Sequence, residues 1–193
     1  MAGRPRQFDI EKATETALHL FIEKGYEGAS FAELVKAMGI SPPSFYAAFG
    51  SKEALFRRVL ERYVVSARAA MREAVAQPTA REVVRHLLTA LATAATSHPT
   101  ARGCLLVQSA LVSSDNSADV RDDLRLEREV TTAALAARFR EAEQRGDKTL
   151  PGNPNAMARL TSMILSGIAT QAASGIEFEA LMGAINAYVD QFS

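Results

Sequence analysis

The stretch from Ser30 to Lys52, SFAELVKAMGISPPSFYAAFGSK, constrains this chain more than any other. Phe31, Leu34, Val35 and Met38 recur at i, i+3, i+4 and i+7, which makes one apolar face of a short helix. Ser30 stands where an N-cap is needed and Glu33 follows three residues on, the pattern of a capping box. Gly39 ends that helix because glycine reaches positive φ at little cost. Ile40 is expected as a buried plug. Ser41 opens a second helix, and Pro42 and Pro43 fall in its first turn, where backbone N–H groups have no helical partner. With Pro at the second helical position, Ser41 is left to cap through the N–H of Ser44. Phe45 and Phe49 lie one turn apart and are expected to pack inward. Ser44, Ala47 and Ala48 are expected to face out, with Tyr46 toward one edge.

Helix, glycine turn and short second helix make the helix-turn-helix pattern. A helix of about eight residues is roughly 12 Å long, which suits the width of a DNA major groove. An ordinary helical hairpin inside an all-helical core has the same local pattern, and shape alone leaves both open.

The wider segment Phe21 to Phe56, FIEKGYEGASFAELVKAMGISPPSFYAAFGSKEALF, resembles the amino-terminal domain of the tetracycline-repressor (TetR) family. The resemblance rests on Gly25-Tyr26, Ser30, Gly39-Ile40-Ser41, Tyr46, Phe49 and Lys52-Glu53-Ala54-Leu55, and covers about a third of the chain with the first helix. It implies an all-α fold of about nine helices. An arm and helix-turn-helix domain would span residues 1–50, with the start of the fourth helix to about 62. A helical ligand-binding and dimerisation domain would span 63–193.

The remaining sequence is consistent with that plan. Asp9 is positioned to cap a first helix with Ile10, Ala13, Ala17, Leu20 and Phe21 inward, and Gly25 to Gly28 is expected to turn the chain. No Gly or Pro interrupts Ser51 to Ala76, so a long fourth helix is expected to join the two domains. Beyond Pro78, apolar spacing predicts helices ending near His98, over Gly103–Val112, from about Asp119 to Arg145, from Pro154, and from Glu177 to Gln191. Asp115 to Ala118 reads as a turn and Gly146 to Asn155 as a loop. No β-alternation is found.

Composition bounds the function. There are 22 Lys and Arg against 22 Asp and Glu, so the chain is not coated in positive charge. From Met1 to Arg62 there are nine basic and eight acidic residues, a balance of 9 − 8 = +1. Positive charge for DNA must therefore be placed rather than abundant. The one cysteine excludes an internal disulfide and fits a reducing cytosol. The start, MAGRPRQFD, lacks an apolar signal core and no apolar run is long enough to span a membrane. A cytoplasmic protein is expected.

Motifs of catalysis are absent from the sequence: no GxGxxG, no phosphate-binding loop, no GxSxG, no HExxH and no Cys-His ligand spacing. His19, His86 and His98 are far apart in sequence. No metal, cofactor or catalytic residue is expected. A protein–protein adaptor with a purely structural hairpin, or a small helical enzyme using an apolar cavity, are the competing function classes.

What the resemblance implies is a repressor bound to a pseudo-palindromic double-stranded operator. The DNA-binding candidates are Arg4, Arg6, Ser30, Pro42, Pro43, Ser44, Tyr46, Ala47, Ala48 and Lys52. Ser30, Tyr46 and Lys52 match positions where the family holds the phosphate backbone. Ala32, Ala47 and Ala48 depart from it, since many relatives carry longer side chains there. Alanine can meet a thymine methyl but makes no side-chain hydrogen bond. Specificity is therefore expected to lean on DNA shape, with Arg4 and Arg6 of a flexible arm entering the flanking minor groove. A homodimer through the last two helices is implied. A small apolar or electrophilic effector would bind among helices four to seven, with Tyr63, His86, Cys104, Gln108 and Phe139 as candidates. Cys104 opens an apolar helix after Arg102, which would lower its pKa, whereas burial among Leu105, Leu106 and Val107 would raise it and leave an inert thiol.

Overall fold

The computed structural model describes residues 8–111 and 118–193, and among these all regular structure is helical. Helices α1 (Ile10–Gly28), α2 (Phe31–Met38) and α3 (Pro42–Phe49) form an amino-terminal head. Helix α4 (Lys52–Val75) leads from it into a body of α5 (Ala80–Thr96), α6 (Leu105–Leu111), α7 (Ala118–Gln144), α8 (Pro154–Ala173) and α9 (Phe178–Val189). The arm carrying Arg4 and Arg6, and residues 115–117 of the turn expected at Asp115–Ala118, lie outside the described residues, while Ala118 is the first residue of α7.

Local chemistry sets the ends of the head's helices. Asp9 caps α1 by accepting from the N–H groups of Glu11 and Lys12. Ser30 and Glu33 complete the capping box of α2, and Gly39 ends it in the left-handed region at φ 66°. Ser41 accepts from the N–H of Ser44 with both prolines in the first turn of α3. Ser51 caps α4 through the N–H of Ala54 at 3.0 Å.

Four expectations in the head need correction. Gly25 does not end α1 outright: it kinks the helix at φ 71°, ψ 173° and one more turn follows. A Cβ there would also lie 3.1 Å from the carbonyl oxygen of Gln108, so both the dihedral and the approach of α6 call for glycine. Ile10, expected inward, is exposed, because it sits in the first turn of α1 beyond the edge of the core. Ile40 and Ala48 are half-buried, neither a sealed plug nor fully outward, and both pack against the head's core.

Two apolar cores result. The head's core is aromatic: Phe56 meets Phe21 edge-on at 5.0 Å and Tyr26 at 4.9 Å, while Phe45 contacts Phe31 and Phe49. It continues without a break into Ala101, Leu105, Val120 and Leu124 of the body, because α1 lies against α6. The second core fills the body with Leu, Val and Ala from α5, α7, α8 and α9, closed by Phe139 and Phe192. The far end of α4 is fastened by Arg138 of α7. This buried guanidinium donates to the carbonyl oxygens of Val75, Gln77 and Pro78 at 2.9, 2.7 and 3.0 Å. Those carbonyls would otherwise be left without partners at a helix end.

Candidate nucleic-acid interface and body cavity

The outer face of α3 is built from short side chains. Pro42, Pro43 and Ala47 are exposed, and Ser44 is half-buried with its hydroxyl 2.9 Å from that of Ser41. Tyr46 is 55% exposed and stacks on Phe31 at 5.2 Å, so its ring is fixed by the same aromatic cluster that fixes α3. Ser30 is already engaged. Its hydroxyl donates to Glu33 Oε2 at 2.7 Å while accepting from the Glu33 N–H, and Lys24 pairs with the same carboxylate.

The head's cations divide into two sets. Lys24, Arg57, Arg58 and Arg62 are all tied to carboxylates, on Glu33, Glu53, Asp123, Glu11 and Glu15. Among the described residues of the head, Lys12, Lys36 and Lys52 are in no ion pair. Lys52 is the first residue of α4, with its Nζ 4.5 Å from the centre of the Tyr26 ring. Partial burial lowers its pKa, opposed by the charge of Glu27. Positive charge thus stands at a helix amino terminus, where backbone N–H groups and the helix dipole also favour an anion. The resemblance marked Lys52, but nothing in the sequence marked Lys12 and Lys36 as unpaired, since pairings such as Arg58–Glu11 and Arg62–Glu11 cross about fifty residues.

A cavity of about 230 Å³ lies in the body. Helix α4 contributes Tyr63, Ser66, Ala67, Ala70 and Met71; α5 contributes Leu87, Ala90, Leu91 and Ala94. Cys104, Leu106 and Val107 form the α6 side, Arg128 and Thr131 the α7 side, and Ser162, Leu165 and Ser166 the α8 side. Of the five sequence candidates, Tyr63 and Cys104 line this cavity. His86 is on the outer surface 3.8 Å from Glu73, Phe139 is sealed in the body's core, and Gln108 turns toward Gly103 rather than the cavity. The expected limits, helices four to seven, omitted the α8 wall. Arg128, Ser162 and Ser166 were missed because they sit in a charged helix and a small-residue helix with no local mark of their inward course.

The thiol of Cys104 accepts a hydrogen bond from Tyr63 Oη at 3.1 Å. Burial pushes its pKa up. The Tyr63 hydroxyl, the N–H groups of Leu106 and Val107 and the charge of Arg128 work in the other direction without prevailing. Arg102, expected to lower that pKa, turns away to Glu177 and the Ile176 carbonyl. Cys104 is therefore held as a thiol, and burial pushes Tyr63 well up as well. His19 and His98, remote in sequence, meet with ring centres 4.3 Å apart where α1 touches the body. Among the described residues, no three His, Cys, Asp or Glu side chains are grouped as a metal site would need. No described helix is long and apolar enough to cross a membrane.

Part of the surface of α8 and α9 is apolar and uncovered. Leu160 and Met163 are 40% and 63% exposed, and Gly167 of α8 with Gly183, Ala184 and Ala187 of α9 are exposed as well.

Residues 13–59 match the family of bacterial regulatory proteins, tetR family. The HTH-type transcriptional repressor ComR of Escherichia coli K12 is 31% identical over 183 residues, covering 93% of this chain and 87% of that one. The repressor BdcR of the same organism is 55% identical over 62 residues, 32% of each chain. A solved structure of the TetR family transcriptional regulator CifR, a cysteine mutant complexed with 26-bp double-strand operator DNA, has a TM-score of 0.89 at 36% identity, covering 99% of this chain and all of that one. Escherichia coli NemR in its reduced form has a TM-score of 0.76 at 26% identity, covering 93% of each chain. The chain belongs to the tetR family of bacterial regulatory proteins and is one of its helix-turn-helix transcriptional repressors.

Proposed function

We propose that the repressor binds a pseudo-palindromic operator as a homodimer and that a small molecule in the body cavity releases it. One observation carries this reading: the helix that presents Lys52 beside the helix-turn-helix also forms one wall of the cavity. A ligand pressing on Ala67, Ala70 or Met71 acts on the same rigid rod that sets the head's position. Residues 1–62 then work as the DNA-reading head and 63–193 as the sensing and pairing body.

On DNA, Lys52 and the amino end of α4 take a phosphate, and Tyr46 takes a second. Ser30 is a weaker contact, because its proton is committed to Glu33. Pro42, Pro43, Ser44, Ala47 and Ala48 approach base edges with little hydrogen-bonding capacity, so shape and the arm with Arg4 and Arg6 carry much of the specificity. The dimer forms through the apolar surface of α8 and α9, the symmetric arrangement a two-fold operator needs. The thiol state of Cys104 favours a non-covalent effector over an electrophile, because the thiolate is the reactive form.

The test is fluorescence anisotropy with DNA from the promoter of the protein's own gene, across a salt titration. Binding is expected to fall steeply with salt, and Lys52→Ala to weaken it on all sequences alike while lowering the salt slope by about one. An unchanged slope removes Lys52 from the phosphate contacts, and no salt-dependent binding removes the operator reading. Met163→Arg is expected to give a monomer by light scattering.

A further inference from the structure

Arg128 is the feature of the cavity that the apolar effector reading leaves unexplained. It is half-buried on the α7 wall, and its Nη1 donates to the Leu106 carbonyl oxygen at 2.6 Å. The carboxylates beside it in sequence are committed elsewhere. Both oxygens of Glu129 are taken by Arg159, at 2.8 and 2.9 Å, and both of Glu127 by Arg68, at 2.9 and 3.1 Å. Among the described residues Arg128 forms no ion pair, and no Asp or Glu lines the cavity. A guanidinium drawn into an apolar wall without an anion loses hydration and gains little in return. Burial accordingly lowers its pKa, though the group stays charged.

We propose that the cavity takes small apolar molecules bearing a carboxylate, with Arg128 as the group that receives it. This rests on the reading of the cavity as an effector site. The planar fork of arginine matches a carboxylate with paired hydrogen bonds, and the Nη1 bond to Leu106 holds one edge of the fork in place. Ser162 Oγ, 2.9 Å from Thr132 Oγ1, adds a hydroxyl to the cavity lining. Leu87, Leu91 and Leu165 line the same cavity and suit a compact hydrocarbon body. A second cleft, lined by Gly167, Thr170 and Gln171 of α8, also reaches Arg128. A cationic ligand would meet Arg128 with no acidic group to offset it, so the site selects by sign of charge as well as by size.

The experiment compares aromatic and branched-chain monocarboxylates with their neutral amides, by calorimetric binding to the full-length protein and, separately, by release of promoter DNA in the anisotropy assay. The expected result is binding of carboxylates with an advantage of about tenfold or more over the matching amides. Arg128→Met should abolish that advantage while leaving weak amide binding, and Arg128→Lys should keep part of it. If Arg128→Met fails to fold, the Lys variant and the carboxylate-to-amide ratio of the wild type still decide. Equal binding of acids and amides, or no binding of any acid, overturns the proposal. Neutral ligands that bind and release DNA would leave the effector reading standing without it. Carboxylates that bind through Arg128 but release no DNA would uphold the carboxylate site and remove its role as the effector switch.

Discussion

The two ends of α4 sit in cores of opposite character. The amino-terminal half enters an aromatic cluster where Phe56 meets Phe21 and Tyr26 edge to face, and the rings pack α1 against α4. The carboxy-terminal half presents Ser66, Ala67 and Ala70 to Ala90 and Ala94 of α5, and small side chains on both helices leave a cavity between them. Large rings make the head a rigid block that holds α3 at a fixed angle. The alanine bias of the body gives up packing to keep a space that a ligand can fill. Rigidity belongs where DNA geometry must be matched, and space where occupancy must change the position of α4.

The largest expected effect tests the rigid side. Phe56→Ala removes a fully buried ring from the middle of the aromatic cluster, and such truncations cost about 3–5 kcal/mol. Urea unfolding should show that loss, together with loss of promoter binding. A cost below about 1 kcal/mol would mean that the head collapses around the gap and is no more rigid than the body. Next comes the polar fastening at the body end of α4. Arg138→Met keeps much of the side chain's volume but strands the carbonyls of Val75, Gln77 and Pro78. Unpartnered buried polar groups cost about 1–3 kcal/mol, so a stability loss of that size is expected, with promoter affinity at permissive temperature little changed.

The cavity side should respond in the reverse direction. Ala90→Val adds methyl groups where the wall faces empty space, and cavity-filling changes commonly add about 0.5–2 kcal/mol. The variant is expected to be more stable and less responsive to any cavity ligand. A destabilised variant would show that the space is already needed by neighbouring side chains, and would weaken the contrast between the two cores.

How much of this was legible in the sequence follows the same division. The capping box at Ser30, the glycine stop at Gly39, the Ser41 cap and the Ser51 cap depend on residues three or four apart, so reading order and spatial order coincide. The inward course of Phe45, Phe49, Leu124, Leu135 and Phe139 follows from helical spacing alone. The cavity does not. Its walls come from five segments between Tyr63 and Ser166, and whether Phe139 or Arg128 faces it depends on how α7 is rotated against α8. Arg128 sits in RLEREV, where each charged residue looks like a partner for the next, and the structure pairs its neighbours with distant helices instead. The meeting of His19 with His98 has the same origin: it requires the docking of α1 on the body, which no local spacing encodes.

The smallest expected effect concerns the exposed cap that begins α2. Glu33 has its pKa lowered to about 2, first by the hydrogen bond from Lys24 and then by those from Ser30. An unfolded glutamate titrates near about 4.3. Its folded-state value is depressed, so the stabilisation it gives is fully present above the unfolded value and is lost as pH falls through the folded one. The window is therefore about pH 4 down to about 2. In Glu33→Gln the side-chain amide can still reach the Ser30 N–H through its oxygen, so the backbone half of the box persists while the charge on Lys24 loses its partner. Stability of wild type minus variant, followed by thermal unfolding, should be small and constant from neutral pH to about 5. It should then close across that window. Taking the difference cancels the other carboxylates, which titrate in both proteins. A difference that stayed flat down to pH 2 would mean that the ion pair with Lys24 contributes nothing and that the cap works through its neutral hydrogen bonds alone. A difference that closed already above pH 5 would assign the effect to a group other than Glu33.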